Sequence, residues 1–234
     1  MRVRALVTLL LAATIAIAYG VYSARIVIPD EWNPWAPLRI AEPLNWLTRM
    51  KLARLSSDEG LCLSVLAQSP LRFQGVPDRE RGEGCGFDNA VRIERTHFRV
   101  STSFTLSCRS AVALALWERH VVDPAAQTHL LAPVAQLEHF GSYACRNIYN
   151  RQDAPLSRHA SADALDIAGF ALANGRRISV ERDWGSEDGV GRFLREIHKG
   201  RVSYIRQRTR AELQRRPPQS FSSLPRGLSR VHCF

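Results

Sequence analysis

Residues 141–170 read GSYACRNIYNRQDAPLSRHASADALDIAGF, and this short window gathers a cysteine, arginines, a histidine and carboxylates. Ser157 stands just before His159, and Asp166 follows after the small, polar run Ser161, Ala162 and Asp163. Residues 164–167 alternate like the start of a strand, so the window offers one candidate ligand on a loop and one on a strand. Imidazole nitrogen and carboxylate oxygen together suit a divalent metal such as Zn2+. A catalytic zinc site takes three protein ligands and keeps one position open for water. His159 and Asp166 are candidates for two of the three; a surface turn is the competing reading of the same pair.

Outward from this window, Asn174-Gly175 sits between two apolar runs, the pattern of a tight β-hairpin, which predicts that Asp166 lies at the start of one. Val190, Phe193, Leu194 and Ile197 share one helical face, so a last regular helix is predicted over residues 190–198. Upstream, Ser107 is a plausible N-cap for a helix whose buried face carries Ala111, Leu114, Trp117 and Val121. Leu130, Val134 and Leu137 repeat the pattern and predict a further helix over residues 124–138. Residues 44–55 predict a short helix with Leu44, Leu47, Leu52 and Leu55 inward and Arg49, Lys51 and Arg54 elsewhere. A second helical run opens at Cys62, and Cys85 closes a charged loop over residues 77–84. Helices early and a hairpin late predict an α+β domain: a helical N-terminal part and a small antiparallel sheet.

The N-terminus reads differently. After Arg2 and Arg4, residues 5–24 carry no charge, enough to cross a bilayer, and the preceding arginines favour an orientation with the N-terminus inside. A transmembrane signal anchor over residues 1–24 is predicted; a cleaved signal peptide is the alternative, because Ala16 and Ala18 suit a signal peptidase. Residues 25–43 include prolines and two tryptophans, Trp32 and Trp35, and read as a juxtamembrane linker. Those tryptophans either meet the lipid boundary or pack on the domain. The anchor predicts a domain outside the cytoplasm, which for a bacterial-type inner membrane is the periplasmic side.

Five cysteines occur, at 62, 85, 108, 145 and 233, without a C-x-x-C pair. Cysteine zinc sites are therefore not expected, whereas export permits disulfides. Cys62 with Cys85 is the pair first expected, since it closes the loop rich in charge and glycine; free buried thiols are the alternative. The chain's net charge of +10 sits mostly in residues 201–234, which hold eight arginines and one acid. Because the excess belongs to one aperiodic tail, no nucleic-acid partner is expected.

The run SYACR…LSRHASADALDIAGFAL…ISVERDW…FLREIHKG resembles the bacterial extensin-like C-terminal domain family, itself similar to zinc D,D-carboxypeptidases. The resemblance implies that residues 44–200 form that domain, with a fold like that of the peptidases. It implies that His159 and Asp166 match the first two zinc ligands, Ser157 the motif serine and Arg146 the arginine facing substrate, and that peptidoglycan peptides are the substrate class. Ala162 stands where the peptidase motif usually has glycine. The third ligand is missing from the expected region, since His198, His232 and Cys233 have neither the spacing nor a strand context. Whether the chain is an enzyme stays open for that reason. Back-translated and read one nucleotide along, residues 201–205 can yield Ala-Cys-Arg-Ile-Phe, and residues 217–223 can yield His-Arg-Ser-His-Phe-His. A shifted reading frame from about codon 201 is one reading of the tail; a disordered basic arm is the other. Loss of the native final strand would leave an exposed sheet edge beside the hairpin.

Overall fold

Helix α4 (Cys108–Trp117) runs through the centre of the domain, with every side chain but that of Arg109 buried. Ser107 caps it, its hydroxyl accepting from the Ser110 amide. The sequence suggested one buried stripe. Burial all round follows from its neighbours: α2 (Trp46–Arg54), α3 (Glu59–Leu66) and α7 (Gly189–Ile205) on some sides and the sheet on another. The computed structural model describes residues 2–23, 25, 27–82, 84–148, 151, 154–205 and 231–233.

Among the described residues the sheet has seven strands: β1 (Arg72–Val76), β4 (Ala90–Arg95), β5 (Arg99–Ser107), β6 (Val134–Gly141), β7 (Leu165–Leu172) and β8 (Arg177–Ser179) in that spatial order, with β9 (Val231–Cys233) also on β7. A separate small hairpin pairs β2 (Arg79–Arg81) with β3 (Cys85–Phe87). All pairings are antiparallel except β5 with β6, which α4 and α5 (Asp123–His129) connect. The α+β class holds, but the simple order of helices then hairpin does not, because five strands lie between residues 72 and 107.

The predicted helix over residues 124–138 is also corrected. It ends at His129; Leu131 has φ +52°, Pro133 has no amide to donate, and Val134 to Gly141 then enter the sheet as β6. Leu130, Val134 and Leu137 are buried as the helical reading required, but the last two are buried from a strand. Between α4 and α5 the helix opens into one π turn, Glu118–Val122.

The hairpin forms as predicted, with Gly175 at φ +86° in its turn. β7 meets β6 along one edge; its other edge pairs through Leu165–Ile167 with β9 and through Gly169–Ala171 with β8. The expected open edge is therefore covered, and His232 lies in a strand, opposite Asp166 in the register. Phe170 of β7 packs edge-on to Phe193 of α7, and the Trp117 indole donates to the Ile197 carbonyl at 2.9 Å, tying α4, α7 and β7 into one core. Helix α7 continues past the predicted end to Ile205.

Close approach of β7 to β8 depends on Gly169, where an added Cβ would fall 2.2 Å from the Ile178 carbonyl oxygen. Gly169→Ala is expected to lower the unfolding free energy by about 3 kcal/mol, because the clash is with backbone. An unchanged urea midpoint would show that the two strands separate without cost.

The cysteine pairing differs from the first expectation. Cys62 bonds Cys108, joining α3 to α4, and Cys85 bonds Cys145, joining β3 to the segment before Arg146. Cys62 and Cys85 are thus both oxidised, but not to each other. Sequence order hid this, because each partner comes from an element that only tertiary packing brings close.

Candidate functional site

Segment 142–148 folds back along residues 155–159. The Ser157 amide donates to Arg146 O at 3.0 Å, the Ala144 amide to His159 O at 3.1 Å, and Asn147 bridges Leu156. Arg146 and Ser157 are brought together in this way through their backbones. Ser157 then caps a 3-10 turn, Arg158–Ser161, its hydroxyl accepting from the His159 amide at 3.3 Å. The turn ends at Ala162 in the left-handed region, φ +54°, which costs a non-glycine residue about 1 kcal/mol. This explains why glycine suits the position, and Ala162 is fully buried, which offsets part of the cost.

Asp163 fastens the turn to the core. Its carboxylate accepts from the hydroxyls of Ser107 at 2.5 Å, Ser110 at 3.1 Å and Ser161 at 2.9 Å, with Arg158 at 3.6 Å. The two outer serines belong to the cap and first turn of α4, so the buried helix and the site loop share one polar knot. The sequence marked Asp163 only as part of a polar run; Ser161 and Arg158 are local partners, but Ser107 and Ser110 lie more than fifty positions away, and no local signal discloses them.

His159 and Asp166 do meet. Both are buried, and Nε2 of His159 lies 3.2 Å from Oδ1 of Asp166. Nδ1 lies 2.9 Å from the Ser142 carbonyl oxygen. A carbonyl only accepts, so Nδ1 carries a proton and donates it. In a neutral ring, Nε2 then presents its lone pair to a carboxylate oxygen. Such a contact needs a proton between the two groups, carried by either one, or a shared cation. A histidine that donates Nδ1–H to a carbonyl and aims Nε2 at a carboxylate has the orientation of a metal-ligating imidazole. The pair therefore fits a metal by its donor chemistry. Among the described residues, no group of three His, Cys, Asp or Glu side chains is placed to hold one.

Ser142 was missed by the sequence reading. Besides orienting His159, it donates its hydroxyl to Thr105 O at 2.5 Å, and it lines a groove of about 380 Å3 with Arg92, Thr102, His139 and Tyr143. The Tyr143 hydroxyl is buried without a hydrogen-bond partner among the described residues, while its ring stands edge-on to Phe87 with Arg79 above it. His198 is placed elsewhere, with its ring against Trp184 on the α7 side of the sheet. Arg158 and Ser161 face a second cavity, of about 260 Å3, shared with Asp88 and Arg109.

Fold and site together define a disulfide-linked α+β domain that holds a buried histidine–carboxylate pair on a loop and an adjoining strand, behind an apolar N-terminal helix. The chain belongs to the family described as extensin-like protein C-terminus, which matches residues 60–207. No curated protein and no solved structure matches it. Helix α1 (Arg2–Tyr22) is long and apolar enough to cross a membrane, and the two disulfides suggest an oxidising, extracytoplasmic setting.

Proposed function

We propose that this is a membrane-anchored protein of the cell envelope whose domain descends from a zinc peptidase acting on cell-wall peptides, and that the chain as it stands is inactive. The domain lies on the periplasmic side of the inner membrane. The observation that carries this reading is the buried Nε2–Oδ1 contact of His159 and Asp166, with the opposite ring nitrogen committed to the Ser142 carbonyl. His159 and Asp166 would hold a zinc ion, which when bound supplies a Lewis acid for a peptide carbonyl and for water. The chain's own groups do the rest. Ser142 fixes the tautomer of His159, Ser157 and Asp163 fix the loop that carries it, and Arg146 would hold an anionic group of the peptide.

The third ligand is assigned to the shifted frame. Read one nucleotide along from about codon 201, the gene would continue α7 with a cysteine-bearing turn and end in a His-x-His strand lying along β7, where β9 now pairs. Most of that segment lies outside the described residues. The reading is supported by the abrupt rise in arginine after Gly200; the family match ends somewhat beyond that point, at Gln207. Sequencing the gene and producing the protein in the adjacent frame tests it. About one zinc per chain is expected by elemental analysis, falling to background in His159→Ala and in Asp166→Ala. An early stop in the adjacent frame, or purified protein without zinc, would overturn the peptidase reading. The 380 Å3 groove beside Ser142 would then favour a non-catalytic binder of cell-wall material or a partner.

A further inference from the structure

The segment between α1 and the domain is not a free linker. Lys51 donates to the Asp30 carbonyl at 2.6 Å, Asn45 to Glu31 O at 2.6 Å, Arg54 to Pro34 O at 2.5 Å, and His120 to Ile40 O at 2.8 Å. Leu38 and Ile40 enter the core beneath these bonds. Residues 30–40 are thus a strap fixed to α2 and to the π turn. Only residues 23–29 remain between the end of α1 and the strap, and a stretch of that length reaches at most about 25 Å.

On this strap and on α2 the large aromatic side chains point outward. Trp35 is 80% exposed, Trp46 74% and Trp32 52%, with Met50 and Ile28 also exposed. These are three of the chain's five tryptophans, whereas Trp117 is buried and Trp184 partly so. The Asn45–Glu31 hydrogen bond sets Trp46 and Trp32 each one residue from the same contact, and the Arg54–Pro34 bond brings Trp35 to the far end of α2. Arg25 and Arg49 are exposed on the same stretch. Indoles with arginines nearby suit the headgroup layer of a bilayer, where an apolar ring and its N–H are both accommodated. Tyr19 and Tyr22, exposed on the last turn of α1, add two further aromatic side chains at the end of the anchor that precedes the strap.

We infer that the face formed by Trp32, Trp35 and Trp46 docks on the outer surface of the bilayer that α1 spans, so that the domain lies against the membrane in a fixed orientation. The occupant follows from the tether: a face held within reach of the anchor's exit point meets lipid before any other partner. The inference rests on the anchored reading. In it, α2 and the strap form the membrane side.

Full-length protein reconstituted in phosphatidylethanolamine–phosphatidylglycerol vesicles tests this through quenching of tryptophan emission by lipids brominated in the acyl chain. The wild-type chain is expected to be quenched. The Trp32→Phe/Trp35→Phe/Trp46→Phe variant, keeping Trp117 and Trp184, should lose about threefold in quenched fraction. The converse variant, Trp117→Phe/Trp184→Phe, should keep it. Alkaline carbonate treatment of the same vesicles separates the two ways of failing. Release of the chain overturns the anchor and the docking with it, whereas retention with equal quenching in all variants overturns the docking alone. Tryptophans shielded from acrylamide but untouched by brominated lipid would assign the face to a second copy or another protein, and would also overturn it.

Discussion

Glu118→Gln is expected to abolish a large fall in stability between mildly acidic and mildly alkaline pH. Glu118 is fully buried in the π turn, its Oε2 accepting from the His97 amide at 3.1 Å and its Oε1 without a partner among the described residues. Burial pushes its pKa up to about 8 from an ordinary 4.5, opposed by the neighbouring Thr96 hydroxyl and the His97 amide, with Asp123 adding a smaller upward push. Below the unfolded value both states hold the proton, and the carboxyl costs nothing. As pH rises, the unfolded chain releases the proton while the folded one keeps it, so stability falls until the folded group also ionises near pH 8. At 1.36 kcal/mol for each unit of pKa, the loss amounts to roughly 5 kcal/mol.

Glutamine keeps an acceptor for the His97 amide and removes the ionisation. The variant should therefore match the wild type near pH 4.5 and exceed it by several kcal/mol at pH 8 to 9 in urea unfolding. Neighbouring Asp123 is also raised by burial, but His97, 2.9 Å away, and Arg119 hold it down. That pair stays in the variant and supplies a residual slope. Parallel curves for the two proteins would mean that Glu118 is ionised in the fold and satisfied by water.

Removing the Cys62–Cys108 bond should lower stability by about 4 kcal/mol, the chain-entropy expectation for a loop of 46 residues. Both cysteines are completely buried, and the bond joins two helices of the core, so Cys62→Ala/Cys108→Ala removes the cross-link together with the packing of two buried sulfurs. Cys85–Cys145 closes a loop of 60 residues but has Cys145 exposed, so a mild reductant should open it first. Its loss should loosen the loop that carries Arg146 more than the core. Peptide mapping of the oxidised protein should recover Cys62 with Cys108. Recovery of Cys62 with Cys85 would contradict the tertiary arrangement directly.

What the sequence determined by itself was local. Ser107 as a cap, the Asn174-Gly175 hairpin, the inward face of Val190, Phe193, Leu194 and Ile197, and the apolar N-terminal span each depend on residues within a few positions of one another. A backbone conformation or a helical face is set at that range. The pairing of His159 with Asp166 was legible for the same reason, since a turn and the start of one strand carry both. What the tertiary structure decided was everything with a distant partner. The same apolar spacing served Leu130, Val134 and Leu137 whether helical or extended, and only Pro133 and the neighbouring β7 chose the strand. The disulfide partners, the serines on Asp163, the carbonyl that orients His159 and the burial of Glu118 all come from contacts between elements far apart in the chain. Hydrogen bonds and buried charge depend on which groups meet once the core has closed, and periodicity along a sequence carries no record of that meeting.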